Sequence, residues 1–262
     1  MQVRKPKLGQ NFLVDDAARH RIADALGDVS ARTVLEIGPG HGAITSILAE
    51  RAGRLVCVEL DRALAAELRF RFRNNPNVEI VEADVLEADL SGLAGTGEKA
   101  LVIGNLPYYI TSDILLHLFH HAAALDLAVV MMQREVAERV AATPGTRDFG
   151  LLSATAQMYA EAHALFTLPP SAFQPPPEVY STVLRLRFQP RYEELGIADP
   201  AAFDRFLKKC FQQKRKTLGN NLRAAGYSAV DIANACTQAD VEASIRAESL
   251  PLEGLSALFN AL

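Results

Sequence analysis

Five short, continuously apolar runs alternate with helical patterns along the first half of this chain, and that alternation restricts the fold more than any other feature. The runs are Thr33 to Ile37, Leu55 to Glu59, Val78 to Val81, Ala100 to Ile103 and Leu127 to Met132. Strands buried on both faces read this way, without the polar alternation of a half-solvated sheet. Ala43 to Arg51, Arg62 to Arg73 and Ser112 to His121 carry apolar residues at three- and four-residue spacing, the mark of crossover helices. Strand, helix and strand in succession generate a parallel sheet covered by helices, so the expected class is α/β. Two further strands, His163 to Leu168 and Thr182 to Phe188, flank the proline-rich stretch Pro169 to Pro177 and are expected to be antiparallel to each other. Beyond Pro190 only helical patterns remain, the first opened by Asp199 as N-cap and Pro200 in the first turn. The expected division is a first domain over residues 1–190 and a small all-α domain over 191–262.

With 262 residues, 49% of them apolar and 22% charged, the chain has the proportions of an ordinary globular protein, which excludes disorder and collagen-like repeats. No apolar run approaches the ~18 residues of a membrane span. The N-terminal segment, with Arg4, Lys5 and Lys7 but little apolar run behind them, is not a secretory signal. Cys57, Cys210 and Cys236 have neither the count of a disulfide framework nor the spacing of a zinc site, and no H-E-x-x-H occurs. No metal is expected, and a reducing cytoplasm is the expected compartment.

The first run leads into Glu36, Ile37, Gly38, Pro39, Gly40, His41 and Gly42, where glycines let the backbone turn sharply and approach a ligand closely. Gly38, Gly40 and Ala43 also satisfy the spacing of dinucleotide enzymes, so the loop alone leaves the nucleotide open. Glu59 closes the second run, where a carboxylate can accept from both hydroxyls of a ribose; Asp84, after the third, is placed to accept from an adenine amine. The fourth run ends in Asn105, Leu106, Pro107, Tyr108 and Tyr109. Its N-L-P-Y tetrapeptide resembles the [DN]-P-P-Y signature of enzymes that methylate exocyclic amines of bases. Such an amine is a poor nucleophile because its lone pair is delocalised into the ring. Acceptors from the Asn side chain and a backbone carbonyl, with a stacked Tyr ring, would localise that pair and orient it.

Taken with K-x-x-L-G-Q-N-F-L at Lys5 to Leu13, E-I-G-P-G at Glu36 to Gly40, Q-R-E-V-A-E-R-V at Gln133 to Val140, F-Q-P-P-P-E-V-Y-S at Phe173 to Ser181 and K-R-K-T-L-G-N-N-L at Lys214 to Leu222, the chain resembles the ribosomal RNA adenine dimethyltransferases, most closely the bacterial members acting on 16S rRNA. The resemblance implies a Rossmann-like class I methyltransferase sheet with a small helical C-terminal domain. It implies S-adenosylmethionine as donor, held at Asn11, Leu13, Gly38, Glu59, Asp84 and Asn105. It also implies two adjacent adenosines near the 3′ end of 16S rRNA as target, within the immature small ribosomal subunit, and a monomeric enzyme. Asn105, Leu106, Pro107 and Tyr108 would form the catalytic turn, with Phe173 completing an aromatic sandwich around the adenine. Glu178 stands where the family often has Lys. The erythromycin-resistance enzymes, which methylate large-subunit rRNA, share the N-terminal blocks but not the C-terminal one.

The net charge of -4 hides an uneven distribution. From Arg205 to Arg223 the chain carries seven basic residues and no acidic one. Lys208, Lys209, Lys214, Arg215, Lys216 and Arg223 are the expected contacts to the rRNA backbone. Arg69, Arg71 and Arg73 form a second cluster, and Arg4, Lys5 and Lys7 a third.

Overall fold

The computed structural model describes residues 11–262. It divides the chain into two units, one running up to Ala137 and resuming over Ala162–Phe188, the other made of Glu138–Glu161 and Gln189–Leu262. The single boundary expected near Pro190 is therefore one of several. Glu138–Glu161, read from sequence as part of a 1–190 domain, groups with the helical residues.

In the first unit β1 (Phe12–Leu13) is followed by α1 (Asp16–Asp24), capped by the Asp15 carboxylate, which accepts from Ala18 N at 3.0 Å. The main sheet contains β2 (Thr33–Ile37), β3 (Arg54–Glu59), β4 (Val78–Glu82), β5 (Ala100–Asn105), β6 (Leu125–Gln133), β7 (Ala160–Leu168) and β9 (Ser181–Phe188), in the order β4-β3-β2-β5-β6-β9-β7. Pairing is parallel from β4 through β6, with Glu36 opposite Cys57 and Ile37 opposite Gly104, and antiparallel between β6 and β9. β8 (Phe173–Gln174) leaves this sheet and pairs antiparallel with β1. The central strands are apolar on both faces because both are covered: Val34, Leu55, Val56, Val102, Ile103 and Val129 to Met132 are all buried. Cys57 is buried in the same layer.

Helices α2 (Thr45–Leu48), α3 (Arg62–Arg71), α4 (Leu90–Ala94) and α5 (Thr111–His120) cover the sheet connections, and α6 (Arg134–Val140) follows β6. The second is far shorter than the expected Ala43 to Arg51. Ile47 N and Arg51 N bond three residues back, to Ile44 and Leu48, and Ser46 Oγ donates to Gly42 O at 2.7 Å. The flanks are thus tighter turns than an α-helix. Asp61 caps α3, its carboxylate accepting from Ala63 N and Leu64 N.

The second unit contains α7 (Leu151–Tyr159), α8 (Pro200–Cys210), α9 (Leu218–Ala224), α10 (Ala229–Gln238) and α11 (Leu252–Ala261). Asp199 and Pro200 open α8 as expected, with the carboxylate accepting from Ala202 N. Phe203, Phe206 and Phe259 form its aromatic core, with ring centroids 5.2 to 6.1 Å apart. α7 joins this unit through the Tyr159 hydroxyl, which donates to Asp204 at 2.9 Å, and through Gln189 N and Arg191 N, which donate to the carbonyls of Tyr159 and Met158. Cys210 and Cys236 are buried here as free thiols. Among the described residues no helix is long and apolar enough to cross a membrane.

Candidate active site

Strand order reverses at β2, with β3 and β4 on one side and β5 and β6 on the other. In such a sheet a crevice opens beyond the C-terminal strand ends at the point of reversal. A cavity of about 430 Å³ lies there, lined by the ends of β2, β3 and β5, the segment after β4, and β1.

Its floor is the glycine loop. Gly38 and Gly40 adopt φ of 63° and 58°, which side-chain-bearing residues rarely take, and a Cβ on Gly40 would lie 3.0 Å from the Phe12 ring. Glu59, 2% exposed, accepts from Gly40 N at 3.0 Å through Oε2 and from Asp61 N at 2.9 Å through Oε1. A dinucleotide would need loop amides for its pyrophosphate. Here Gly40 N already serves a carboxylate and Gly38 N donates to Val58 O, which disfavours a dinucleotide in this loop. Asp84 Oδ1 accepts from Leu86 N at 2.9 Å, an Asx turn that holds the carboxylate at the cavity beside Val85.

At the end of β5, Asn105 Nδ2 donates to Asn11 O at 2.9 Å, leaving the Oδ1 side of the amide as the acceptor. Leu106 is buried, its N–H donating to Met131 O at 2.9 Å. Pro107 O accepts from Ile110 N and from Thr111 Oγ1, so a closed turn carries Tyr108 into the cavity wall. The Tyr108 hydroxyl lies 2.7 Å from Ser181 Oγ, and burial pushes its pKa up. β1 covers one side, with the Phe12 ring 4.6 Å from that of His41, whose Nδ1 lies 3.3 Å from Glu67.

A family model described as ribosomal RNA adenine dimethylase matches residues 1–262. The chain belongs to the ribosomal RNA adenine dimethylase family. Among similar proteins, the ribosomal RNA small subunit methyltransferase A of Acidobacterium capsulatum is 62% identical over 258 residues, covering 98% of this chain and 91% of that protein. The crystal structure of the 23S rRNA methyltransferase ErmE aligns with a TM-score of 0.68 at 28% identity, over 96% of this chain and 99% of that one. A dimethyladenosine transferase from Plasmodium falciparum aligns with a TM-score of 0.76 at 24% identity, over 94% and 95% of the two chains, and shows the shared fold. The Rossmann-like class I methyltransferase sheet is thus the fold of this dimethylase.

Within the family frame, Asn11, Leu13, Gly38, Glu59, Asp84, Asn105, Leu106, Pro107 and Tyr108 all line the one cavity. Phe173 does not. It is 3% exposed and belongs to the core cluster that includes Leu13, Leu168, Ala172 and Val183, because strand pairing sets it opposite Leu13. Sequence reasoning also missed Glu36, a cavity-lining carboxylic acid only 2% exposed, to which Cys57 Sγ donates at 3.6 Å. Burial pushes its pKa up to about 7, against the lowering effect of Thr45 and Cys57. Its place as the only charged side chain in the otherwise mostly apolar run from Thr33 to Ile37 was the available signal.

The basic stretch is not one continuous helix. α8 ends at Cys210, and Lys214, Arg215 and Lys216 lie in the turn before α9. Lys208, Arg215, Lys216 and Arg223 are exposed. Lys214 Nζ donates to Arg147 O at 2.8 Å, Lys209 sits 4.9 Å over the Tyr227 ring, and Arg223 bonds Gly219 O and Asn220. The Arg69 to Arg73 cluster is largely structural: Arg69 pairs with Glu82, Arg71 donates to His41 O and Ser46 Oγ, and Arg73 to Phe70 O. Arg4, Lys5 and Lys7 lie outside the described residues.

Proposed function

We propose that the chain transfers methyl groups to N6 of two adjacent adenosines in a hairpin near the 3′ end of 16S rRNA, giving N6,N6-dimethyladenosines, with S-adenosylmethionine as donor. The acting form is a monomer in the cytoplasm, working on the immature small subunit late in its assembly.

The observation that carries the reading is Asn105, whose amide is oriented by Asn11 O so that an acceptor remains at the cavity next to Tyr108. Asn105 Oδ1 accepts one N6–H and the Leu106 carbonyl the other, drawing the nitrogen lone pair out of the ring. Tyr108 stacks on the extruded base. Pro107 keeps the turn rigid, so the acceptors need no reorganisation as the reaction proceeds.

The cavity's donor set fits the cofactor. Glu59 has lone pairs left after its two backbone contacts and accepts from the ribose hydroxyls, while Asp84 accepts from the adenine amine between Leu60 and Val85. When bound, S-adenosylmethionine supplies a methyl group activated by its sulfonium centre. The small-subunit target is favoured over the large-subunit one by the 62% identity to a protein named for the small subunit, against 28% to ErmE.

The test is incubation with labelled S-adenosylmethionine and undermethylated small subunits, followed by mapping of the label. Two adjacent dimethylated adenosines near the 16S 3′ end are expected; label in large-subunit rRNA instead would overturn the assignment. Asn105→Ala should cut turnover on the order of a hundredfold while leaving subunit binding in place, by analogy with loss of one oriented polar group at a reacting centre.

A further inference from the structure

Tyr108 enters the cavity wall half-buried, and a tyrosine side chain on its own can swing among staggered χ1 positions. What fixes this ring lies outside the turn that carries it. Its hydroxyl is 2.7 Å from Ser181 Oγ, 73 residues along the chain. Ser181 is fully buried and is the first residue of β9, in register opposite Gln133 of β6. The preceding residue is clamped as well: Tyr180 O accepts from Arg134 N at 3.0 Å, and the Arg134 guanidinium lies 5.7 Å over the Tyr180 ring. The serine hydroxyl is therefore presented from a strand end held on two sides.

The other end of the same segment, Phe173–Gln174, is paired with Phe12–Leu13, which line the cofactor cavity. One nine-residue stretch thus touches both the wall of the cofactor site and the ring that faces the base.

Resting on the adenine reading above, we infer that Ser181 is a positioning residue for methyl transfer: its hydroxyl anchors the far end of the Tyr108 side chain and keeps the ring in the χ1 position from which it stacks on the target base. A side chain free to swing to other χ1 positions stacks on the base in only part of the bound population, so loss of the bond lowers turnover and leaves the cofactor site intact.

The experiment is a double-mutant cycle of Ser181→Ala and Tyr108→Phe, measuring kcat on undermethylated small subunits and cofactor affinity by calorimetry. Each single variant should lose about three- to tenfold in kcat, the factor expected of one neutral hydrogen bond. Cofactor affinity should stay within about twofold of wild type. The double variant should be no slower than either single one. A Ser181→Ala enzyme at wild-type kcat overturns the inference, and so does a double variant slowed by the product of the two single effects, since the serine would then act independently of the tyrosine. Tyr108→Phe keeps the ring, so if Ser181→Ala does not fold, wild-type turnover by Tyr108→Phe alone is enough to overturn it. Failure of the adenine reading is distinguishable, because wild-type protein would then place no methyl group on the small subunit.

Discussion

Two acidic side chains beside the same cavity have unlike surroundings. Glu59 receives two backbone N–H groups, which hold both of its oxygens in place at the cavity. Replacing it with Ala removes the acceptors for two hydroxyls at about 1.5 to 3 kcal/mol each and releases the Gly40 amide. Calorimetry should show S-adenosylmethionine affinity falling by at least about a hundredfold; an unchanged affinity would place the ribose elsewhere. Glu36 sits in an apolar layer and keeps its proton up to about 7, whereas the unfolded chain gives it up near 4.5. Between those values the folded state binds the extra proton, so stability falls as pH rises, by up to roughly 3 kcal/mol. The cofactor-free Glu36→Gln variant should therefore lose less of its thermal midpoint than wild type between about pH 5 and about pH 8. Parallel slopes for the two proteins would show that Glu36 titrates normally. At this scale the sequence pointed to polar side chains at strand ends, Glu59, Asp84 and Asn105, which line one cavity. It concealed Glu36, whose place at the cavity depends on burial, and could not show that Phe173 packs in the core opposite Leu13, since aromatic type says nothing about which side of a strand a residue faces.

Among elements, the strands were legible because burial on both faces leaves an unbroken apolar run. β1 and β8 were not, since a two-residue pair has no period, and their pairing joins positions about 160 residues apart. The turn between α8 and α9 was hidden for another reason: the tertiary contacts that stop the helix come from residues further along the chain. Asn221 Nδ2 donates to Cys210 O at 2.8 Å and Gln213 O at 3.2 Å, while its Oδ1 accepts from Gln213 N. Gly219 allows close approach, since a Cβ there would meet Ala243 at 3.1 Å. Thr217 caps α9, accepting from Asn220 N. Gly219 and Asn221 of the block are thus accounted for by folding, and the exposed Arg215 and Lys216 are what the brace presents. Replacing Lys208, Arg215 and Lys216 with Gln should weaken small-subunit binding and flatten its salt slope by up to about 2 to 3 units, at 0.7 to 0.9 per lost phosphate contact. Cofactor affinity should not move. A salt slope equal to that of wild type would shift the rRNA contact away from this turn.

For the whole molecule, the division into units explains why one boundary was read where the chain has more. Glu138–Glu161 and Gln189–Leu262 belong to one compact unit although Ala162–Phe188 intervenes, and a reading that moves along the chain has no means of joining them. The three free thiols are spread over both bodies, Cys57 in the first, Cys210 and Cys236 in the second, and none is more than 6% exposed. Burial raises the pKa of each, so few thiolates exist to react. The native protein is consequently a nearly blank background for thiol chemistry. A chromogenic disulfide reagent should find almost no reactive group in native buffer and three in denaturant; rapid titration of one or more under native conditions would contradict the packing described for those strands and helices. The practical outcome is that a single cysteine introduced on the exposed turn, for example Lys216→Cys, could carry a fluorophore without removal of the native three.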